Sequence, residues 1–289
     1  MDAEGWLASG ERVEIQLPSG AWDIFVRASG SGPWLTLLHG FPTSSWDWAR
    51  VARRLEPSFR VLAFDFLGFG NSDKPRRHEY SIAEQADLTE EIWRRLGINE
   101  TGLVGHDYGA TVVQELLARI EERKLEALVK GIVLLNAGLY AELARPLLIQ
   151  RVLAAPLAGR LLARLVTERT FSRSLSSVFS SGHQPTTAEL QQHWQLVRGR
   201  DGVAVTPKLL RYLAERRANA PRWEGALERA ALPRRLVWGM ADPRSGARIA
   251  EQARQRIPDL GVVALDDVGH YPQLEAPEHV ATAIEAAFI

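Results

Sequence analysis

Short apolar runs recur along this chain, and most are followed by an amphipathic, helix-like stretch. The runs are Trp34–Leu38, Arg60–Phe64, Leu103–Val104, Gly131–Leu135, Arg235–Trp238 and Val262–Leu265. Helical periodicity marks Ser81–Leu96, Ala110–Arg119, Gly246–Arg256 and a final segment from Pro277. A strand without polar alternation must be covered on both faces, and parallel neighbours need a crossover long enough for a helix. The pattern therefore predicts a mostly parallel central sheet flanked by helices, an α/β architecture. At the front, Arg12–Leu17 and Trp22–Ala28 flank Pro18-Ser19-Gly20, which predicts a hairpin and a mixed edge.

One stretch breaks the alternation. From about Leu139 to about Trp223 the chain shows only apolar and basic residues at helical spacing, with Pro- and Ser-rich joints. It is predicted to be a helical cap, residues 139–223, inserted after the sixth strand over the sheet's carboxyl edge. Residues 1–138 and 224–289 then form the core.

Composition narrows the partners. Thirty-five basic residues balance thirty-five acidic ones, so no general field draws the chain to nucleic acid or anionic lipid. A small molecule is the expected partner. The absence of cysteine removes disulfides, thiolate metal sites and a thiol nucleophile. Met1–Arg12 carries acids and no apolar run of signal length, which predicts a cytoplasmic setting. No window reaches the roughly 20 apolar residues of a membrane span. The most apolar helical stretch, Arg145–Val166, is broken by Pro156, Gly159 and several arginines.

The chemistry concentrates at the ends of the predicted strands. Gly105-His106-Asp107-Tyr108-Gly109 follows one apolar strand and opens a helix, the setting of a nucleophile elbow. Its central residue is aspartate rather than serine. Taken alone, the pattern reads equally as a tight turn with Asp107 as a helix cap. His39-Gly40-Phe41-Pro42 follows an earlier strand, and the backbone N–H groups of Phe41 and Tyr108 are candidates for an oxyanion hole. His39 itself is read as a brace for that loop. Asp242 ends another strand, and His270 follows the next. Nucleophile, acid and histidine thus occur in the chain order expected of this kind of site, 135 and 28 residues apart. Asp266 and Asp267 are rival acids, too close in sequence to His270 to reach behind its ring easily.

These motifs resemble the α/β-hydrolase superfamily, and within it the epoxide hydrolase and haloalkane dehalogenase branch with aspartate nucleophiles. The resemblance rests on His39-Gly40-Phe41-Pro42-Thr43-Ser44-Ser45-Trp46-Asp47-Trp48, Asp65-Phe66-Leu67-Gly68-Phe69-Gly70 with Ser72-Asp73-Lys74-Pro75, and His106-Asp107-Tyr108-Gly109 with Gln114-Glu115-Leu116-Leu117, as well as His270-Tyr271-Pro272-Gln273-Leu274-Glu275. Runs this long also resemble those of the mesoderm-specific transcript family. The resemblance implies that Asp107 attacks a substrate carbon to form an alkyl ester, which water activated by His270 hydrolyses, with Asp242 orienting the imidazole. It implies no cofactor.

Epoxide hydrolases take a proton for the opening oxygen from cap hydroxyls, usually two tyrosines. Tyr212 matches one of them by position, though it also reads as a packing aromatic. Tyr140 or His183 would have to serve as the second, and His183 reads equally as a solvated loop residue. The implied substrate is a small apolar epoxide, with water as co-substrate. Dehalogenation remains an alternative, weakened because Tyr108 and Phe41 stand where many dehalogenases place an indole and an asparagine. A binding protein on the same fold is the third reading. Trp46, Trp48, Trp194 and Trp223 are large apolar candidates for a pocket wall, and none of them is assigned to the site.

Overall fold

The computed structural model describes residues 1–143, 148–153, 163 and 165–289. Glu11–Leu17 (β1) and Gly20–Gly30 (β2) form an antiparallel hairpin in which Leu17 pairs with Gly20. β2 runs antiparallel to Arg60–Phe64 (β4). From there the sheet is parallel: β4 beside Trp34–Leu38 (β3), then Glu100–His106 (β5), Leu128–Leu135 (β6), Arg234–Gly239 (β7) and Gly261–Leu265 (β8). The strand order among the described residues is β1-β2-β4-β3-β5-β6-β7-β8. The chain steps outward to β4 and returns past β3 to β5, so the order reverses between β3 and β5. Open α/β sheets bind ligands beyond the carboxyl ends of their strands at such a reversal.

The central strands are apolar on both sides, as predicted. Leu35, Leu37, Val104 and Val133 pack with Val51, Leu55 and Ile284, which belong to the helices Ala49–Leu55 and Pro277–Phe288. Leu62, Phe64, Leu103 and Ile132 point the other way, against Leu88, Ile92 and Leu116 of the helices Ile82–Leu96 and Tyr108–Glu121. Each of those side chains is almost completely buried, and burying one of this size stabilises by about 1.5–3 kcal/mol. Ser81 caps Ile82–Leu96 by accepting from Glu84 N–H, and Gly97 closes it in the left-handed region. One short helix, Ala3–Ala8, was not expected from the sequence. It buries only Ala3 and Trp6, too few positions to show a period.

Between β6 and β7 the described residues contain helices and no strand: Leu148–Leu153, Glu168–Ser176, Thr187–Arg198, Gly202–Leu209, Tyr212–Ala218 and Ala220–Arg229. Residues 207–216 are divided between two of these helices. The chain tightens between them, with Arg211 N–H bonding Lys208 O and Leu213 N–H bonding Leu210 O, three residues back. This tightening makes Tyr212 the first residue of the second helix. No helix among the described residues is long and apolar enough to cross a membrane.

Candidate active site

β5 delivers Asp107 into the turn before helix Tyr108–Glu121 with φ 43° and ψ −101°. A non-glycine residue held there stores backbone strain, which the surrounding turn must enforce. The flanking glycines make the turn possible by close approach. A Cβ on Gly109 would lie 2.4 Å from Leu38 O, and one on Gly105 would lie 2.9 Å from Ala110 N. The Asp107 N–H bonds Asn136 O, and its Oδ2 accepts the Phe41 N–H at 3.1 Å. Tyr108 opens the helix, so its N–H is among the four at a helix start that lack an intrahelical acceptor. His39 braces this loop: Phe66 N–H donates to its Nε2 at 3.1 Å, which leaves Nδ1–H to donate to Gly40 O at 2.9 Å.

Asp242 follows β7 and His270 follows β8. Their side chains meet, with Asp242 Oδ2 2.7 Å from His270 Nδ1. Asp242 is itself held by Arg244 N–H on Oδ1 at 2.7 Å, and by Asn136 Nδ2 at 2.9 Å and the Ser245 hydroxyl on Oδ2. Burial pushes the Asp242 carboxyl up, but the His270 charge and these hydrogen bonds outweigh it and hold the group well below the usual range. Burial likewise pushes His270 down. The charge and hydrogen bond of Asp242, helped by the charges of Asp107 and Glu275, bring it up to about 8.

Glu275 anchors the histidine loop. Its carboxylate accepts the N–H groups of Gly269 at 2.7 Å, Tyr271 at 3.1 Å and Ser180 at 3.0 Å, the last from the segment between β6 and β7. His270 N–H donates to Val178 O at 2.9 Å. His106 adds a further tie: Gln273 donates to its Nδ1 at 3.0 Å, and its Nε2 faces His270 O at 2.8 Å. Burial keeps the His106 imidazole well below its ordinary value, hence neutral.

Asp107, His270 and Tyr212 all line one cavity, with Phe41 and Tyr271 beside them and an apolar wall including Leu153, Phe171, Leu175 and Val197. The Tyr212 ring lies 5.0 Å from that of Tyr108 and 6.1 Å from that of Phe41. Burial raises its phenol, and the Asp107 charge raises it further.

Tyr140 and His183 are not among the residues that line this cavity. Tyr140 leaves β6 toward helix Ala247–Arg256, where its ring lies under Arg256 at 4.5 Å. His183 sits in another hollow, beside Pro185 and Trp46, with Nδ1 3.0 Å from Ser180 Oγ. Nor do Trp46, Trp48, Trp194 or Trp223 line the cavity.

The residue that the sequence reading missed is Arg216. Buried one turn beyond Tyr212, it donates to Thr111 Oγ1 from Nε at 3.1 Å and from Nη2 at 2.6 Å. Nη2 also lies 3.9 Å from Asp107 Oδ1, and the guanidinium sits 5.0 Å above the Tyr212 ring. Nothing in a segment that also carries Arg211 and Arg217 marks this one arginine as buried.

Residues 33–277 match the family profile described as alpha/beta hydrolase fold. Among curated relatives, the mesoderm-specific transcript homolog protein of Bos taurus is 43% identical over 255 residues, 86% of this chain and 76% of that protein. Among solved structures, the haloalkane dehalogenase DbeA of Bradyrhizobium elkani aligns with a TM-score of 0.80 at 22% identity, covering 96% of each chain. The epoxide hydrolase CorEH aligns with a TM-score of 0.77 at 20% identity, covering 96% of this chain and 98% of its own. At such identities the two structures speak for the fold alone. The family profile and the curated relative carry the assignment further: the chain belongs to the α/β-hydrolase fold family.

Proposed function

We propose that this hydrolase opens a small apolar epoxide to a vicinal diol through an ester on Asp107, beneath a cap formed by residues 139–223. The observation that carries the reading is the pair of side chains lining one cavity: Asp107 at the elbow and Tyr212. A carboxylate nucleophile suits attack on a saturated carbon, and an epoxide oxygen needs a proton as it leaves.

Asp107 attacks a ring carbon, the C–O bond breaks, and the oxygen takes the Tyr212 proton. The product is a hydroxyalkyl ester. His270 then takes a proton from water, and the hydroxide attacks Cγ of Asp107. The N–H groups of Phe41 and Tyr108 stabilise the resulting oxyanion. Collapse releases the diol, which takes the proton from His270. The proton remaining on the Asp107 carboxyl returns to Tyr212, so one water is consumed. Asp242 supports the imidazolium throughout. Arg216 supplies a fixed positive charge beside the reacting carboxylate.

That same charge favours a second reading, dehalogenation, since a guanidinium can hold a departing halide. Incubation with a panel of aryl and aliphatic epoxides and haloalkanes, scored for diol and for halide, separates the two. Diol formation supports the first reading, and halide release without diol replaces it with the second.

A further inference from the structure

The cavity carries one more charge than the proposed chemistry uses. Arg244 lines it, two residues beyond Asp242, and its backbone is pinned by the hydrogen bond from its N–H to Asp242. Its side chain is half-buried, and its Nε is shut off from solvent with no hydrogen-bond partner among the described residues. Asp107 is the one acidic side chain among the described residues lining the cavity, and it already faces Arg216 and His270. A counter-ion cannot come from the stretch between Leu143 and Glu168, because it contains no aspartate or glutamate. It does contain Arg145, Arg151, Arg160 and Arg164. An ionised group in an apolar wall is costly unless it is paired, and charge-assisted hydrogen bonds to a carboxylate are the strong way to pair it.

We infer that the ligand supplies the missing charge: the cavity takes an amphiphile whose apolar body lies along Phe171, Leu175, Leu213 and Ile249 and whose carboxylate is held by Arg244. Within the proposed function this makes the substrate an epoxide on an alkanoic acid rather than a neutral epoxide. Arg216 is not the receptor. Its guanidinium is committed to Thr111, and its charge is opposed by Asp107.

Titration calorimetry of octanoate against octanamide tests the inference without any turnover. In the wild-type protein octanoate should bind about 10- to 100-fold more tightly, the usual effect of one hydrogen-bonded charge pair. Arg244→Gln should bring the ratio close to one, and Arg244→Lys should restore part of it. Equal affinity for the two probes, binding of neither, or a ratio that survives Arg244→Gln overturns the inference. The epoxide panel reads the function separately. A preference for octanoate with no diol from any epoxide keeps this inference and removes that reading. Diol from neutral epoxides with no preference for octanoate does the reverse.

Discussion

Phe41 N–H donates to Asp107 Oδ2, while Oδ1 of the same carboxylate faces Arg216. The two oxygens are therefore unequal before any substrate arrives. Oδ2 already sits where a carbonyl oxygen would gain negative charge during ester hydrolysis. In the proposed chemistry Oδ1 is then the attacking atom.

That asymmetry makes the first prediction isotopic. Asp107→Ala should abolish turnover in a protein that still folds, because no other carboxylate lines the cavity among the described residues. In a single turnover of the wild-type protein in ¹⁸O-water, the label should enter the peptide containing Asp107 and leave the first diol unlabelled. Label in the first diol would mean direct attack by water on the substrate.

A second prediction divides the two half-reactions. His270→Gln should still be alkylated and then stall, so that intact-mass measurement shows protein plus substrate, with the adduct on the Asp107 peptide. Normal binding with no adduct would remove the covalent intermediate from the scheme.

Tyr212→Phe should slow epoxide opening by about 10²- to 10⁴-fold, the range expected of a positioned general acid. Ester hydrolysis should be spared, since the hydroxyl acts before that step. Pre-steady-state measurement of adduct formation and decay reads both rates. Untouched epoxide opening would transfer the donor's role elsewhere.

The pH dependence has a definite sign. The Asp242 charge and hydrogen bond, helped by the Asp107 charge, bring His270 up to about 8, and alkylation moves the Asp107 charge to the Tyr212 oxygen without taking it out of the cavity. The imidazole must be neutral to take a proton from water. Ester decay should therefore rise with pH along a limb centred at about 8 and then level off. Rapid-quench mass spectrometry across pH reads the limb, and decay that falls or stays flat as pH rises through that value contradicts the assignment of the base.

Glu275→Ala removes the acceptor for three backbone N–H groups. At about 1–3 kcal/mol for each orphaned buried donor, the melting temperature should fall sharply. Glu275→Gln keeps one acceptor oxygen and should fall less. In both variants ester hydrolysis should suffer more than alkylation, because the loop being loosened carries His270. Equal loss in both steps would reduce Glu275 to a general stability role.

The strands and the elbow were legible because their signals are local. Apolar runs without alternation require a doubly covered sheet, and Gly105 and Gly109 permit one tight turn. The pairing of His270 with Asp242 was expected because Asp266 and Asp267 lie too close in sequence to His270 to reach behind its ring, and the structure shows it. The part of the wall contributed by the segment between β6 and β7 was less legible. Tyr212 was found from its distance to Asp242, whereas Tyr140 and His183 were sought from residue type alone, and packing turns both elsewhere. Arg216 was invisible for the same reason. Its sequence neighbourhood looks like a solvated helix face, and the groups that hold it buried, Thr111 and Asp107, lie far from it in sequence.

The bonds from His270 N–H to Val178 O and from Ser180 N–H to Glu275 tie the proposed base to the segment between β6 and β7. That segment cannot swing away at this end and leave the imidazole in register with Asp242. Either it stays hinged there and opens elsewhere, or its lifting disarms the base until it reseats. In the second case water activation would be interlocked with closure, and an open, solvent-filled site would have no base to run premature hydrolysis.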